Sequence, residues 1–347
     1  MIAKEPSVWL PANEKARLLE LIAQNPEAKV VFEGIQKDAD SALDAEPNPI
    51  KDIESQGRLL MDPLKVKSLN ALKDMSKMSA LSAAYLVTGK RKYGEKAKQF
   101  LSAWARVNVS DGDPIDETKL EPAILAYDWV RDAFSEAERK PVEAWLETIA
   151  RTHMGMKQAT NNWQNHRVKI IGMIGYALRN QEIIAFARRA FDRQLAIDLN
   201  PDGSTLDFQE RDALHYHIYA LRPLLSFAEV AQRHGLSLYD QTSPAGASLR
   251  QSIGFLLPYC TGEKKHAEFV HSRVAFDKKR GESGQPEYMA GHPFDPKTAE
   301  QVLEQASFFD SKAEKVLAKL TGNPEGSLTS WRLLLNAAGR PDQPLRP

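Results

Sequence analysis

Apolar residues recur at three- and four-residue spacings along most of this chain, the period of an amphipathic α-helix rather than of a strand. Between Leu69 and Tyr85 they are Leu69, Leu72, Met75, Leu81, Ala84 and Tyr85, and Thr88-Gly89 supplies a stop. Tyr93 to Val107 repeats the pattern through Ala97, Phe100, Leu101 and Trp104, so the two segments read as a helical hairpin. Asp111-Gly112-Asp113-Pro114 opens a loop, Leu120 to Phe134 resumes the period, and Ser135 is placed to N-cap a helix running through Trp145 and Ile149. Helices are expected over Asn161–Leu178 and Gln181–Ile197, after which Pro201-Asp202-Gly203-Ser204 breaks the chain. A single helix is expected from Phe208 to His234, its stripe formed by Leu214, Ile218, Leu221, Leu225 and Ala228. Weaker patterns predict helices over Ala247–Leu257, Thr298–Phe309, Lys312–Leu320 and Ser327–Ala337. No alternating strands emerge, so the expected class is all-α, built from paired helices that can stack as a bundle, a solenoid, or a ring of inner and outer helices. Gly262 to Pro296, rich in Lys, Gly, Pro and His, is too long for a plain connection and is either a lid or binding loop or a mobile segment.

Composition narrows the picture. With 347 residues, 42% hydrophobic and 27% charged, the chain can bury a large core as an ordinary globular protein. Its 46 basic and 46 acidic side chains balance, so no overall field draws it to nucleic acid or an anionic membrane, and an anionic substrate must meet a local cluster. Nothing in it specifies an oligomeric state. Cys260 stands alone, which removes an internal disulfide or a cysteine metal cluster; it reads as a buried small hydrophobe. No apolar run approaches the roughly 20 residues of a membrane span, and the first residues lack a signal-peptide core. The chain is expected to be cytosolic, or exported with its leader lying outside this sequence.

Two clusters can carry chemistry. In Asn161-Asn162-Trp163-Gln164-Asn165-His166-Arg167, Asn162 and His166 are four apart and share one helix face; Trp163 and Arg167 repeat the relation one step round. The structural alternative is a helix start capped by Asn161, with His166 a satisfied core histidine. In Glu210-Arg211-Asp212-Ala213-Leu214-His215-Tyr216-His217-Ile218-Tyr219, an unbroken helix sets Arg211, His215, Tyr219 and Arg222 within roughly 80° of one another, Tyr216 lying about 60° further round. A guanidinium, an imidazole and two phenols bordering a core suit an anion and a proton transfer; the alternative is a solvated face with tyrosines lying over the core. His215-x-His217 turns its rings to different sides of a helix, so no metal or other cofactor is expected, and the G-x-S-x-G, P-loop and G-x-G-x-x-G signatures are absent.

The order of several short motifs resembles the alginate lyase family of bacterial polysaccharide lyases. They are Tyr85-Leu-Val-Thr-Gly-Lys, Tyr93 through Trp104-Ala-Arg106, Gly112-Asp-Pro-Ile-Asp-Glu-Thr-Lys-Leu-Glu-Pro122, Ala126-Tyr-Asp, Asn161-Asn162, and Asp202-Gly-Ser followed by Glu210-Arg211, Tyr216-His217 and Tyr219-Ala-Leu221. The resemblance is strongest over about residues 65 to 235. It implies a single domain over residues 1–347 with an (α/α) toroid fold, inner and outer helices around a substrate groove, and metal-independent β-elimination on a uronic-acid polymer such as alginate or glucuronan. It further implies that Asn162, Arg211 and a histidine neutralise the uronate carboxylate while Tyr216 acts as base and then acid. Where the family reads Asn-Asn-His this chain has Asn161-Asn162-Trp163, so His166 or His215 must supply the imidazole, with Tyr219 the fallback phenol. Trp163, Arg167, His215 and Tyr219 are the expected substrate-binding residues. A polymer substrate also implies a periplasmic or secreted protein. The competing expectations are a non-catalytic acidic-polysaccharide-binding protein on the same fold, and a toroid glycoside hydrolase using carboxylates such as Asp207, Glu210 or Asp212.

Overall fold

The computed structural model describes residues 10–340. In chain order the helices are α1 (Ala12–Gln24), α2 (Pro26–Ala42), α3 (Pro63–Ala71), α4 (Lys73–Thr88), α5 (Arg91–Val107), α6 (Pro114–Glu117), α7 (Glu121–Val130), α8 (Glu136–Gly155) and α9 (Asn162–Ala177). They continue with α10 (Gln181–Ile197), α11 (Leu206–Arg211), α12 (Leu214–Arg233), α13 (Leu249–Thr261), α14 (Ala275–Glu282), α15 (Glu300–Ser307), α16 (Ser311–Thr321) and α17 (Trp331–Gly339). Among the described residues there is no strand, only two isolated bridges, Leu199 with Thr205 and Ala267 with Pro293. The all-α class is therefore as expected; α1 and α2 add helices before the first segment that the periodicity assigned, and that segment is divided, Leu69 falling at the end of α3, Leu72 between the two helices and the rest in α4.

Local chemistry sets the boundaries. Side chains of Asn25, Asp62, Ser135, Thr205, Ser248, Asp310 and Ser330 each accept a first-turn amide of the helix that follows, and Ser135 with Glu138 completes a reciprocal capping box. At the other end of α4, Gly89 takes the left-handed conformation and its N–H closes on the Tyr85 carbonyl, which is the stop that Thr88-Gly89 predicted.

The described chain packs as two compact units. Residues 10–157, 170–187 and 328–340 make the first, in which α4 packs on α2, α5 and α7, α5 on α8, and α1 on α2 and α17. Its core holds Trp104, Tyr93, Phe100, Tyr127, Met78 and Leu81, all fully buried. The Gly112–Pro122 motif is anchored here by two buried acids. Asp116 accepts the amides of Ser55 and Gln56 and pairs with Lys119, while Glu117 accepts Ser110 Oγ and the amides of Asp111 and Gly112 and lies 2.7 Å from His153 Nε2. That motif thus serves to fasten loops.

Residues 158–169 and 188–327 make the second unit, in which α12 packs on α13 and α15 and both of these pack on α16. The Leu214, Ile218, Leu221, Leu225 and Ala228 stripe of α12 is buried throughout. Gly203, in the break before α11, sits so close to α13 that a Cβ there would lie 2.6 Å from the Gln251 carbonyl oxygen.

A second expected element is divided as well. The single helix over Phe208–His234 is two, because Asp212 adopts the left-handed conformation with φ 49° and ends α11 by donating its N–H to the Phe208 carbonyl. Asp tolerates that conformation better than most residues. Here its backbone oxygen accepts the Phe269 amide at 2.7 Å and its carboxylate accepts the His271 amide at 2.9 Å. The continuous 100° wheel that grouped Arg211 with His215 and Tyr219 therefore does not run across this junction.

Candidate active site

Both sequence clusters fall within the second unit. Asn162 opens α9, and its backbone N–H donates to Asp207 Oδ2 at 2.7 Å while its side-chain amide donates to Asp207 Oδ1. Asp207 lies one turn before Arg211 on α11, so these two share a face of that helix, with Asn162 bonded to Asp207. Asp207 is fully buried, and burial raises its carboxyl to about 6 against the pull of Asn162 and the Arg211 charge. The neighbouring Asp198, which accepts Asn165 Nδ2, is pushed up further by burial and by the Asp207 charge. Asn161 contributes the cap foreseen for it, its Oδ1 accepting the Trp163 amide at 3.3 Å.

Past the Asp212 break the Arg211 guanidinium folds back over the Tyr216 ring, 3.8 Å from its centroid. An i, i+5 pair on a regular helix would not meet in this way. Tyr216 is buried at 6% exposure, its ring edge-on to Tyr219 with centroids 6.1 Å apart, and Tyr219 in turn meets the His166 ring at 4.6 Å. His215 lies 5.1 Å from Tyr216 by ring centroids and packs against Phe269 and Tyr288. The structure thus links Asn162, Asp207 and Arg211 on one side, and Tyr216, Tyr219 and His166 on the other, through the Arg211 contact with Tyr216. Of the other expected substrate-binding residues, Trp163 is half-buried, and Arg167 is buried at 5% exposure. His217, on the opposite side from His215, is a satisfied core histidine. Its Nε2 donates to the Ser252 carbonyl at 3.0 Å, which leaves Nδ1 to accept the Thr205 hydroxyl at 3.2 Å.

The segment from Gly262 to Pro296, left open between a binding loop and a mobile segment, is seated on the junction of α11 and α12. Glu268, 1% exposed, accepts the amides of Leu214 and His215 at 2.9 and 3.0 Å and so caps α12, whose own N-cap residue Ala213 has no side-chain cap bond. The Arg273 amide donates to the Glu210 carbonyl. The buried Asp277 carboxylate accepts Arg211 Nη1 at 2.6 Å and Ser272 Oγ at 2.9 Å, and its Oδ1 lies 3.4 Å from the Tyr216 hydroxyl. Arg280 Nη1 donates to the Tyr216 hydroxyl at 2.8 Å. None of Glu268, Asp277, Arg280 or Tyr288 was singled out from the sequence. The only sign of them was the length of the segment and the i, i+3 spacing of Asp277 and Arg280 within an otherwise charged stretch.

The electrostatics follow from this packing. Burial pushes the Tyr216 phenol well above its usual range, against the lowering effect of Arg211 and Arg280, so the phenol is protonated at neutral pH with no ligand present. Burial brings His215 down to about 4, with Arg280 and Arg211 adding to the shift, so it is a neutral imidazole there. The cluster offers a buried amide, two guanidinium groups, a neutral imidazole and a phenol, parts that can receive an anion and move a proton beside it. Among the described residues no group of three or more His, Cys, Asp or Glu is arranged to hold a metal ion, and no helix is long and apolar enough to cross a membrane.

Comparison with known proteins bears on the same region. The alginate lyase family profile matches residues 23–266. A polysaccharide lyase of Stenotrophomonas maltophilia is 26% identical over 184 residues, covering 48% of this chain and 55% of that protein. An alginate lyase of the same organism is 27% identical over 183 residues, covering 45% of this chain and 24% of that protein. The chain thus matches about half of one curated relative and a quarter of the other. Among solved structures, an alginate lyase from Bacteroides ovatus aligns with a TM-score of 0.71 at 20% identity, over 95% of this chain and 98% of that one. An alginate lyase A1-III variant complexed with a tetrasaccharide aligns with a TM-score of 0.63 at 20% identity, over 88% of each chain. These structural likenesses establish the fold.

Proposed function

Since this chain belongs to the alginate lyase family, we propose that it cleaves a uronic-acid polymer, alginate or a related polyuronate such as glucuronan, by β-elimination at the cluster around Tyr216. The observation that carries this reading is the stacking of Arg211 on Tyr216 beside an Asn162 held in place by Asp207. Removing the C5 proton of a uronate builds negative charge on its carboxylate, so a useful site neutralises that group where the proton leaves. Asn162 can offer its second side-chain N–H, since Asp207 takes only one. Arg211 supplies the cation, and His166, ring to ring with Tyr219, stands in for the histidine that Trp163 displaces from the family motif.

Tyr216 serves as the acid toward the departing glycosidic oxygen in the form it holds at rest. To act first as base it must lose its proton, and Asp277 Oδ1 is the carboxylate oxygen within reach. A single phenol that takes the C5 proton and returns it to O4 works on one face of the ring. The reading therefore favours residues with H5 and O4 on the same face, such as β-D-mannuronate or β-D-glucuronate. A polymer substrate of this kind also favours a periplasmic or secreted location.

A glycoside hydrolase needs two carboxylates on opposite sides of the scissile bond, and Asp207 is engaged with Asn162. A binding protein without activity is the remaining alternative, motivated by Trp163 in the histidine position. The deciding experiment offers purified protein polymannuronate, polyguluronate, mixed alginate and glucuronan, and follows unsaturated ends by ultraviolet absorbance. Wild type is expected to release them, while Tyr216→Phe and Arg211→Ala, folded by circular dichroism, lose at least about 100-fold in kcat/KM. Binding without unsaturated ends, saturated products, or full activity in both variants would each overturn the assignment.

A further inference from the structure

The oxygen of Tyr216 is held by a residue that lies far from it in sequence. Arg280 Nη1 donates to that oxygen at 2.8 Å, whereas Arg211 approaches the ring face. A guanidinium has no acceptor and stays charged, so the Tyr216 oxygen must be the acceptor of this bond. The same bond becomes charge-assisted when the phenol ionises and is then roughly twice as strong, so it favours the phenolate over the phenol. Arg280 is itself fixed: its guanidinium lies 4.4 Å from the Phe276 ring centroid and 4.6 Å from that of Tyr288, and Nη1 lies 3.9 Å from Asp277 Oδ1. Only 17% of its side chain is exposed, against 81% for Lys278 two residues earlier. A surface arginine that served only solubility would not be clamped between two rings with its fork on a buried hydroxyl.

We propose that Arg280 is a positioning residue of the elimination, which holds the Tyr216 oxygen in place and carries its negative charge while the phenolate waits for the C5 proton. This rests on the lyase reading. The phenolate oxygen takes the C5 proton, and the C5–H electron pair moves onto the uronate carboxylate. That pair then forms the C4–C5 double bond as the C4–O bond breaks with its electrons going to the glycosidic oxygen, and that oxygen takes the proton back from Tyr216. Tyr216 first passes its own proton to Asp277 Oδ1, 3.4 Å away, and takes it back once the leaving oxygen is protonated, so the resting phenol is restored beside Arg280 and no other reactant is needed.

The test compares wild type with Arg280→Met and Arg280→Lys in the full chain. Arg280→Met is expected to lower kcat about 100-fold with KM changed less than about threefold, and to move the low-pH limb of the kcat profile up by about one unit or more. Arg280→Lys, which keeps a donor and a charge, is expected to recover at least about tenfold of that loss and to bring the limb back. Equal losses in both variants with an unmoved pH limb would mark Arg280 as a structural anchor only and overturn the proposal. A second measurement needs no turnover. A ring-fluorinated tyrosine incorporated at position 216 and titrated by fluorine magnetic resonance is expected to ionise about one pH unit or more higher in Arg280→Met than in wild type. An unchanged titration refutes the role of Arg280 whatever the substrate. Absence of unsaturated ends from the wild-type protein refutes the parent reading and leaves this titration standing.

Discussion

At residue scale, the two neighbouring histidines of α12 show how position alone divides roles. His215 faces the Tyr216 cluster, and His217 faces Thr205 and Ser252, with a partner for each ring nitrogen. Burial brings the His217 imidazole down to about 4, from an ordinary value of 6.5. Its folded pKa is therefore depressed, so its contribution to stability is complete above the unfolded value and is lost as pH falls from 6.5 toward 4, where the unfolded chain takes up a proton that the folded one refuses. At pH 5 the effect is about 2 kcal/mol. Asp207, raised to about 6, works in the opposite sense: it adds stability below its unfolded pKa and loses it as pH rises through the folded one. The His217 share is isolated by comparison, with urea unfolding of His217→Gln and wild type between pH 7 and 4. The variant is expected to be less stable at pH 7 but to have the shallower decline between 6.5 and 4. Parallel declines would show that His217 does not titrate across that window.

At the scale of elements, the junction of α11 and α12 was the feature least legible in the letters. Periodicity ran on through Asp212 because the apolar stripe of α12 and the last turn of α11 are compatible with one continuous helix, and a left-handed Asp leaves no mark in a hydrophobic pattern. The break depends on partners 57 and 59 residues later, Phe269 and His271, which no local rule can supply. By contrast Ser135 was legible as an N-cap because its partner Glu138 is three residues away. The same contrast predicts different consequences for two caps. Ser135→Ala should cost about 1 kcal/mol and act only on α8. Glu268→Ala removes the acceptor for the Leu214 and His215 amides and should cost about 1–2 kcal/mol, raise hydrogen exchange at those two amides, and lower lyase activity through Tyr216. Unchanged exchange at Leu214 and His215 would show that the carboxylate does not cap α12.

Across the described chain as a whole, most of the helices and the all-α class could be read from a 3.6-residue period, since burial of one face is a local property of the sequence. Asn162, His166, Arg211, Tyr216 and Tyr219 were legible as residue types, and the structure gathers them. The contributions of Asp207, Glu268, Asp277 and Arg280 were not, because a charged residue in a polar stretch looks solvated until the fold buries it. The segment holding the last three is fastened to α11 and α12 before α14 and stacked on Tyr216 within it, yet α14 presents an exposed pair, Lys278 and Lys279, to solvent. A brief tryptic digest should therefore nick the chain after one of these lysines. The nicked protein should keep nearly its full helical circular dichroism while turnover collapses, since the cut separates Asp277 from Arg280 and frees the very stretch that steadies the phenol. Full turnover in verified nicked material would mean that this stretch is dispensable.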